Sequence, residues 1–378
     1  MVVARRYRVP MTETVLTARR IQSLDGLRGI AAVVVVLYHL LLVASSTLSG
    51  SPPHGLWFWA TRTPLKLLFA GPEAVLVFFV LSGLVVALPA LDRGFSWPAF
   101  MISRALRLYA PVWAALAFAC VLIVVVPREA ANVADNAWLT DYTATSLQVG
   151  SLLREASLLF TTYTFDNALW SLRWEVYFSL LLPLFLGIAV VSRRALPVLT
   201  VVALGISVVG RMSSDDALTY LPLFFVGVAF AVSLNRIVAW SARRSAAFWI
   251  GAPVASALLL ICGWLVRSAT DGTPVDDAIL GHNSLYIGNN LFYGLEGVGA
   301  AGIVLSAVGS PGLRRLLERG SVLWLGKISF SLYLVHIPIL ATVSFLVGDR
   351  RWWLVAAIVL PTSHHRRCLL YTSPSPRD

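Results

Sequence analysis

Stretches with no charge at all, long enough to cross a bilayer, recur through this chain and restrict its folds more than any other feature. Residues 29–45 and 113–126 contain no Asp, Glu, Lys or Arg. About 20 apolar residues in a helix span a ~30 Å hydrocarbon core. Segments of that kind fall near 26–46, 70–91, 108–126, 169–190, 195–210, 218–235, 247–266, 289–309, 324–347 and from 351 onward. The fifth is short. Charged residues make up only 13% of the sequence, about half of what a soluble domain carries. The expected fold is all-α, a polytopic transmembrane helical bundle of about ten spans with the last one truncated. No internal repeat is visible, so an inverted-repeat transporter plan has no sequence support.

The net charge of +11 would suit nucleic acid in a soluble protein. In a membrane protein it has a simpler origin, because cytoplasmic connectors collect Arg and Lys. With the N-terminus inside, the inner connectors hold Arg5, Arg6, Arg8, Arg19, Arg20, Arg93, Arg104, Arg107, Arg193, Arg194, Arg236, Arg243, Arg244, Arg314, Arg315, Arg319 and Lys327. The outer ones hold fewer than half as many. The expectation is therefore a multi-pass protein of the cell (inner) membrane with a cytoplasmic N-terminus, a lipid bilayer around it and no nucleic-acid partner. The organisation expected is a cytoplasmic segment at 1–22, a transmembrane domain at 23–360 and a tail at 361–378 foreign to the fold. The first span reads as uncleaved. The stretch 94–107, mixing aromatic and basic residues, looks like an interfacial helix. The long connector 127–168 is expected to re-enter the membrane or lie along its surface.

Ionisable groups within spans are costly and are functional candidates by default. Here they are Asp25, Arg28, His39, Glu73, Arg173, Glu175, Glu296 and His336. Arg28 and His39 are eleven residues apart, within about 20° of a whole number of turns, so they share a helix face. Their axial separation is about 16 Å. That sets Arg28 near the inner mouth and His39 about half-way across. A neutral imidazole there can take a proton from a hydroxyl, or simply bond to a neighbouring helix. Cys120 and Cys262 lie in apolar runs and read as packed free thiols, and no spacing suggests a metal site. His364 and His365 fall in the tail and are set aside.

Several short motifs occur in order. Ser23, Asp25, Gly26, Arg28 and Gly29 precede His39. Phe78, Phe79, Ser82 and Gly83 follow, then Arg104 and Arg107 with Pro111, then Trp170, Ser171, Leu172 and Glu175. Gly326, Ser329, Tyr333, His336 and Pro338 come last. Together they resemble the signature of the acyltransferase-3 family of bacterial membrane O-acyltransferases, across roughly 21–345. Val176 and Tyr177 after Glu175 depart from the family's usual pattern. The resemblance implies an acyl-CoA (acetyl-CoA by default) co-substrate, no bound cofactor, and a carbohydrate or glycolipid hydroxyl, or a glycosylated metabolite, as acceptor. It implies catalytic roles for His39 and Glu175 and donor binding by Arg28, Arg104 and Arg107. Asp25, Trp170, Ser171, Tyr333 and His336 are expected to hold the acceptor or support the site. Arginine suits the phosphates of coenzyme A because its planar fork binds their oxygens bidentately, though basic residues at an inner surface also snorkel to head groups. Glu175 is expected to face an outer cavity, where it would orient His39, accept a proton or bind sugar hydroxyls. The competing class is a glycolipid or small-molecule transporter lined by Arg28, His39 and Glu175.

Overall fold

The computed structural model describes residues 21–50, 55–92, 94–160, 163–270 and 287–365. Most of the segment 1–22, the tail beyond His365, Arg93 and Cys368 lie outside them. Helices in chain order are α1 (Gln22–Leu48), α2 (Leu56–Arg62), α3 (Gly71–Ala87), α4 (Trp97–Val125), α5 (Ala137–Tyr142), α6 (Val149–Ser157), α7 (Leu169–Val191) and α8 (Leu196–Met212). They continue with α9 (Asp216–Val232), α10 (Leu234–Ser241), α11 (Ala246–Leu260), α12 (Cys262–Thr270), α13 (Ile287–Gly309), α14 (Pro311–Leu317), α15 (Gly320–Val347) and α16 (Trp352–His365). No strand occurs among the described residues.

Among the described residues, six helices are long and apolar enough to cross a membrane, or up to eight if each of two bent pairs is one span. The pairs are α9 with α10, bent by 71°, and α11 with α12, bent by 64°. The remaining two of the ten expected spans are α8 and α16, with 17 and 14 residues. At 1.5 Å per residue, α16 is about 21 Å long and falls short of the core thickness. The chain is a multi-pass helical membrane protein.

The interfacial helix expected at 94–107 is not separate. It forms the first turns of α4, which runs unbroken through Pro111 for 29 residues. Pro98 in the first turn suits a helix start, where the missing N–H is unneeded. The interior Pro111 is tolerated, as proline often is in membrane helices. Arg104 and Arg107 therefore ride on a spanning helix. Its other face is apolar and exposed, with Val121, Val124 and Val125 all more than half exposed, as a lipid-facing surface should be.

Helix α1 sits at the centre, packed along α15 and against α3, and α3 in turn packs along α9. Small residues allow the close approaches. A Cβ on Gly29 would stand 2.5 Å from the backbone nitrogen of Gly326, and Gly26 and Gly326 leave no more room. Gly83 of α3 and Gly227 of α9 face each other in the same way. Four motif glycines, Gly26, Gly29, Gly83 and Gly326, are thus packing residues, bringing the chemistry-bearing faces within side-chain reach.

The connector between α4 and α7 forms a lid over the ends of α1 and α15. Asn136 Nδ2 donates to the carbonyls of Leu42 and Val43 at 3.0 and 2.9 Å, and Asn132 Nδ2 to that of Phe345 at 3.0 Å. Arg128 donates to Ala144 O at 2.6 Å and Thr342 Oγ1 at 3.1 Å, and burial lowers its pKa to about 10. The Glu155 carboxylate accepts from the backbone N–H groups of Thr164, Phe165 and Asp166. Burial pushes its pKa up and those donors oppose the shift. Asp166, fully buried, accepts from Ala168 N at 3.1 Å. Burial holds its carboxyl well above the usual range.

Candidate active site

His39 lies about two thirds of the way along α1, beyond the mid-point expected for it. It is buried at 8% exposure and turned into the bundle. Its ring packs against Trp138 of the lid at 5.4 Å between centroids and against His336 of α15 at 5.0 Å. His336, at 1% exposure, directs Nδ1 at Tyr333 O (2.7 Å) and Nε2 at His39 Nδ1 (3.2 Å). His39 Nδ1 also faces Val35 O at 2.9 Å.

These partners fix the proton positions by elimination. A carbonyl can only accept, so His336 Nδ1 carries the hydrogen. In a neutral ring its Nε2 is then a bare lone pair. His39 Nδ1 faces two acceptors, Val35 O and His336 Nε2, and must carry hydrogen as well. The lone pair of His39 is left on Nε2. A base whose second nitrogen is held by a hydrogen bond has its tautomer and ring orientation set for proton transfer.

The next layer down the bundle joins α3, α7 and α15. Tyr333 OH is 2.7 Å from Ser171 Oγ and donates to Ala168 O at 3.1 Å. Phe78 packs edge-on against the Tyr333 ring at 6.0 Å. One turn further along α3 and α7 stand Ser82 and Glu175. Ser82 Oγ donates to Glu175 Oε1, Arg104 pairs with Oε2, and Arg104 Nε also donates to Ser179 Oγ. The Arg104–Glu175 pair is largely buried, with 15% and 13% of the two side chains exposed. Arg104 lies within electrostatic reach of Arg28 and Arg107. Arg28 is half-buried and Arg107 exposed.

Sequence-expected residues are therefore divided among three places. His39, His336, Tyr333 and Ser171 form one connected cluster. Glu175 joins Arg104, near Arg28 and Arg107, and does not face the outer cavity anticipated for it. The reason is helical phase. Ser171 and Glu175 are four apart and share the face toward α3 and α15, whereas Trp170, one position earlier, turns to a neighbouring face and lines a cavity of about 430 Å³. The group that meets His39 is His336, not Glu175. Asp25 supplies the backbone against which Gly326 packs. Ser179 and Trp138 were not anticipated. Ser179 lies four residues after Glu175, so helical spacing could have found it. Trp138 is brought in by the lid, and no local pattern marks it.

A helical membrane bundle with an oriented, buried imidazole above a cluster of arginines suits group transfer at a bilayer. A family model described as an acyltransferase domain, that of the acyltransferase-3 family, matches residues 21–363, and the chain belongs to that family, making it a membrane acyltransferase. No curated protein and no solved structure matches it.

Proposed function

We propose that the protein is a membrane O-acyltransferase that moves an acyl group, acetyl by default, from acyl-CoA to a hydroxyl of a cell-surface carbohydrate, glycolipid or glycosylated metabolite. The observation that carries this reading is the His39 Nε2 lone pair, on an imidazole locked from behind by His336. The acceptor oxygen attacks the thioester carbonyl carbon while His39 Nε2 takes the hydroxyl proton. The C–S bond then breaks, and the coenzyme A thiolate leaves and recovers that proton from His39. In the alternative order, Nε2 attacks the thioester carbonyl carbon, the C–S bond breaks and the coenzyme A thiolate leaves. The acceptor oxygen then attacks the acyl carbon, the C–N bond breaks, and the hydroxyl proton passes by way of the freed Nε2 to the thiolate. Both routes use the same lone pair.

His336 stabilises the charged intermediate by accepting the Nδ1 proton of His39 in a hydrogen bond, strongest when the donor ring is cationic. On this reading Arg28, Arg104 and Arg107 attract the phosphates of the donor. Arg107 is the most accessible, and Arg104 is already engaged by Glu175, which positions it. On this reading the arginine end lies in the cytoplasm, where acyl-CoA is made, and His39 toward the opposite face of the inner membrane, an orientation that the positive-inside pattern supports.

The test is transfer of radiolabel from [14C]acetyl-CoA to a bacterial glycolipid and polysaccharide extract by the purified full-length protein in proteoliposomes. Label in the carbohydrate, with free coenzyme A released in equal amount, is the expected result. Glycolipid movement across the bilayer with no thioester consumed would instead identify a carrier.

A further inference from the structure

Six helices contribute to the cavity beside Trp170, all from the same end of the bundle. They are the starts of α3, α7, α9 and α13, the end of α8, and α12. This is the end at which α1 finishes, because Tyr38 meets both Gly71 and Lys66 there. The cavity's volume, about 430 Å³, falls within the range of small-molecule sites.

Its walls combine two chemistries. Trp170, Trp264 and Tyr293 present aromatic surface, and Glu73, Glu296, Arg211 and Arg267 bring charge. Glu73 is 3% exposed. Its Oε1 accepts from Trp264 Nε1 at 2.8 Å, while its Oε2 is buried with no hydrogen-bond partner among the described residues. A buried carboxylate oxygen without a donor, on a side chain that lines a cavity, calls for a ligand that brings one.

Charge narrows the class of ligand. Two carboxylates and two guanidiniums line the space, and Lys66 lies behind it with Nζ 4.0 Å from the Trp264 ring centroid. The place beside that indole that a ligand cation would take is therefore filled by the protein's own ammonium. An ionised anion brings no proton for the unpartnered Glu73 Oε2. A neutral polyhydroxylated ligand meets neither objection. Its C–H faces stack on the indoles, and its hydroxyls donate to carboxylate and accept from guanidinium.

We propose that this cavity is a binding site for a neutral sugar unit, the carbohydrate portion of the acceptor, with Glu73 Oε2 accepting from one of its hydroxyls. This rests on the acyltransferase reading for the sugar's role as acceptor, but the binding itself does not need acyl-CoA. Trp170 connects the site to the reaction centre through its neighbour Ser171, which is bonded to Tyr333, one turn before His336.

The experiment is saturation-transfer NMR on the full-length protein in nanodiscs without acyl-CoA. The probes are methyl α-D-glucopyranoside, methyl α-D-mannopyranoside and methyl α-L-rhamnopyranoside, with inorganic phosphate and choline as competitors. At least one glycoside is expected to bind, undisplaced by either competitor. His39→Ala should bind it equally, which separates this site from the catalytic proposal. Glu73→Gln and Trp264→Phe should each weaken binding, the former by about ten-fold through loss of a charge-assisted hydrogen bond. Trp264→Phe keeps an aromatic face and serves if Glu73→Gln fails to fold. Absence of binding by all three glycosides, displacement by choline or phosphate, or unchanged binding in folded variants would overturn the proposal.

Discussion

His336 Nε2 lies 3.2 Å from His39 Nδ1, joining two residues 297 positions apart in sequence. Both rings are buried, and each has its Nδ1 at a backbone carbonyl one turn back on its own helix. The pair therefore has one consistent neutral arrangement of protons, with the lone pair of His39 left on Nε2.

Loss of His336 should leave the base present but unoriented. His336→Ala is expected to lower kcat by roughly 100-fold or more, toward the 10⁴-fold at the top of the general-base range, with KM for acetyl-CoA little changed. His336→Gln, whose amide oxygen can accept from His39 Nδ1, should recover part of the rate. Steady-state kinetics on the purified variants measure the split, and a purely packing role would give no such recovery.

The Arg104–Glu175 pair is buried enough that removing one partner strands the other charge. Glu175→Ala or Arg104→Ala should each destabilise the protein by about 3–5 kcal/mol. The double change Arg104→Met with Glu175→Leu should restore most of that stability and none of the activity. Thermal unfolding in detergent, read alongside acetyl-CoA turnover, distinguishes the two effects.

Much of this arrangement is legible in the sequence. Helical phase alone puts Arg28 and His39 on one face, and the motif glycines mark where helices approach. The meeting of His39 with His336 is not legible from local spacing, because it depends on how α1 and α15 cross at Gly29 and Gly326. The division of Trp170 from Ser171 and Glu175 follows from a 100° rotation per residue, but only the packed neighbours show what each face meets. The start of α4 is not legible from hydropathy, because the apolar run begins near residue 108 while the helix begins at Trp97. Where the lid docks is not legible from local pattern, since Asn132 and Asn136 are satisfied by backbone groups distant in sequence.

Glycine contacts make a sharp prediction. Gly83→Leu should prevent assembly, because even a Cβ there collides with the carbonyl of Phe224. Gly251→Ala on α11, where nothing lies within 4 Å, should be neutral or stabilising by up to about 1 kcal/mol. Size-exclusion profiles of the two variants in mild detergent report the difference.

Asp166 links the lid to pH. Its folded pKa is raised, so the native state holds the proton more tightly than the unfolded chain. The contribution is therefore favourable at low pH and is lost as pH rises above the ordinary carboxylate range of about 4. Asp166→Asn keeps an oxygen for Ala168 N and never ionises. The variant should gain stability over the wild type as pH increases from 5 to 8, and limited proteolysis of the lid across that range would show it.

The most direct test of the account is acetyl-CoA thioester consumption by His39→Ala beside the wild type, in the same proteoliposomes with carbohydrate acceptor present. Folded protein with turnover reduced at least 100-fold is the expected result. Turnover at the wild-type rate from a folded His39→Ala protein would contradict it.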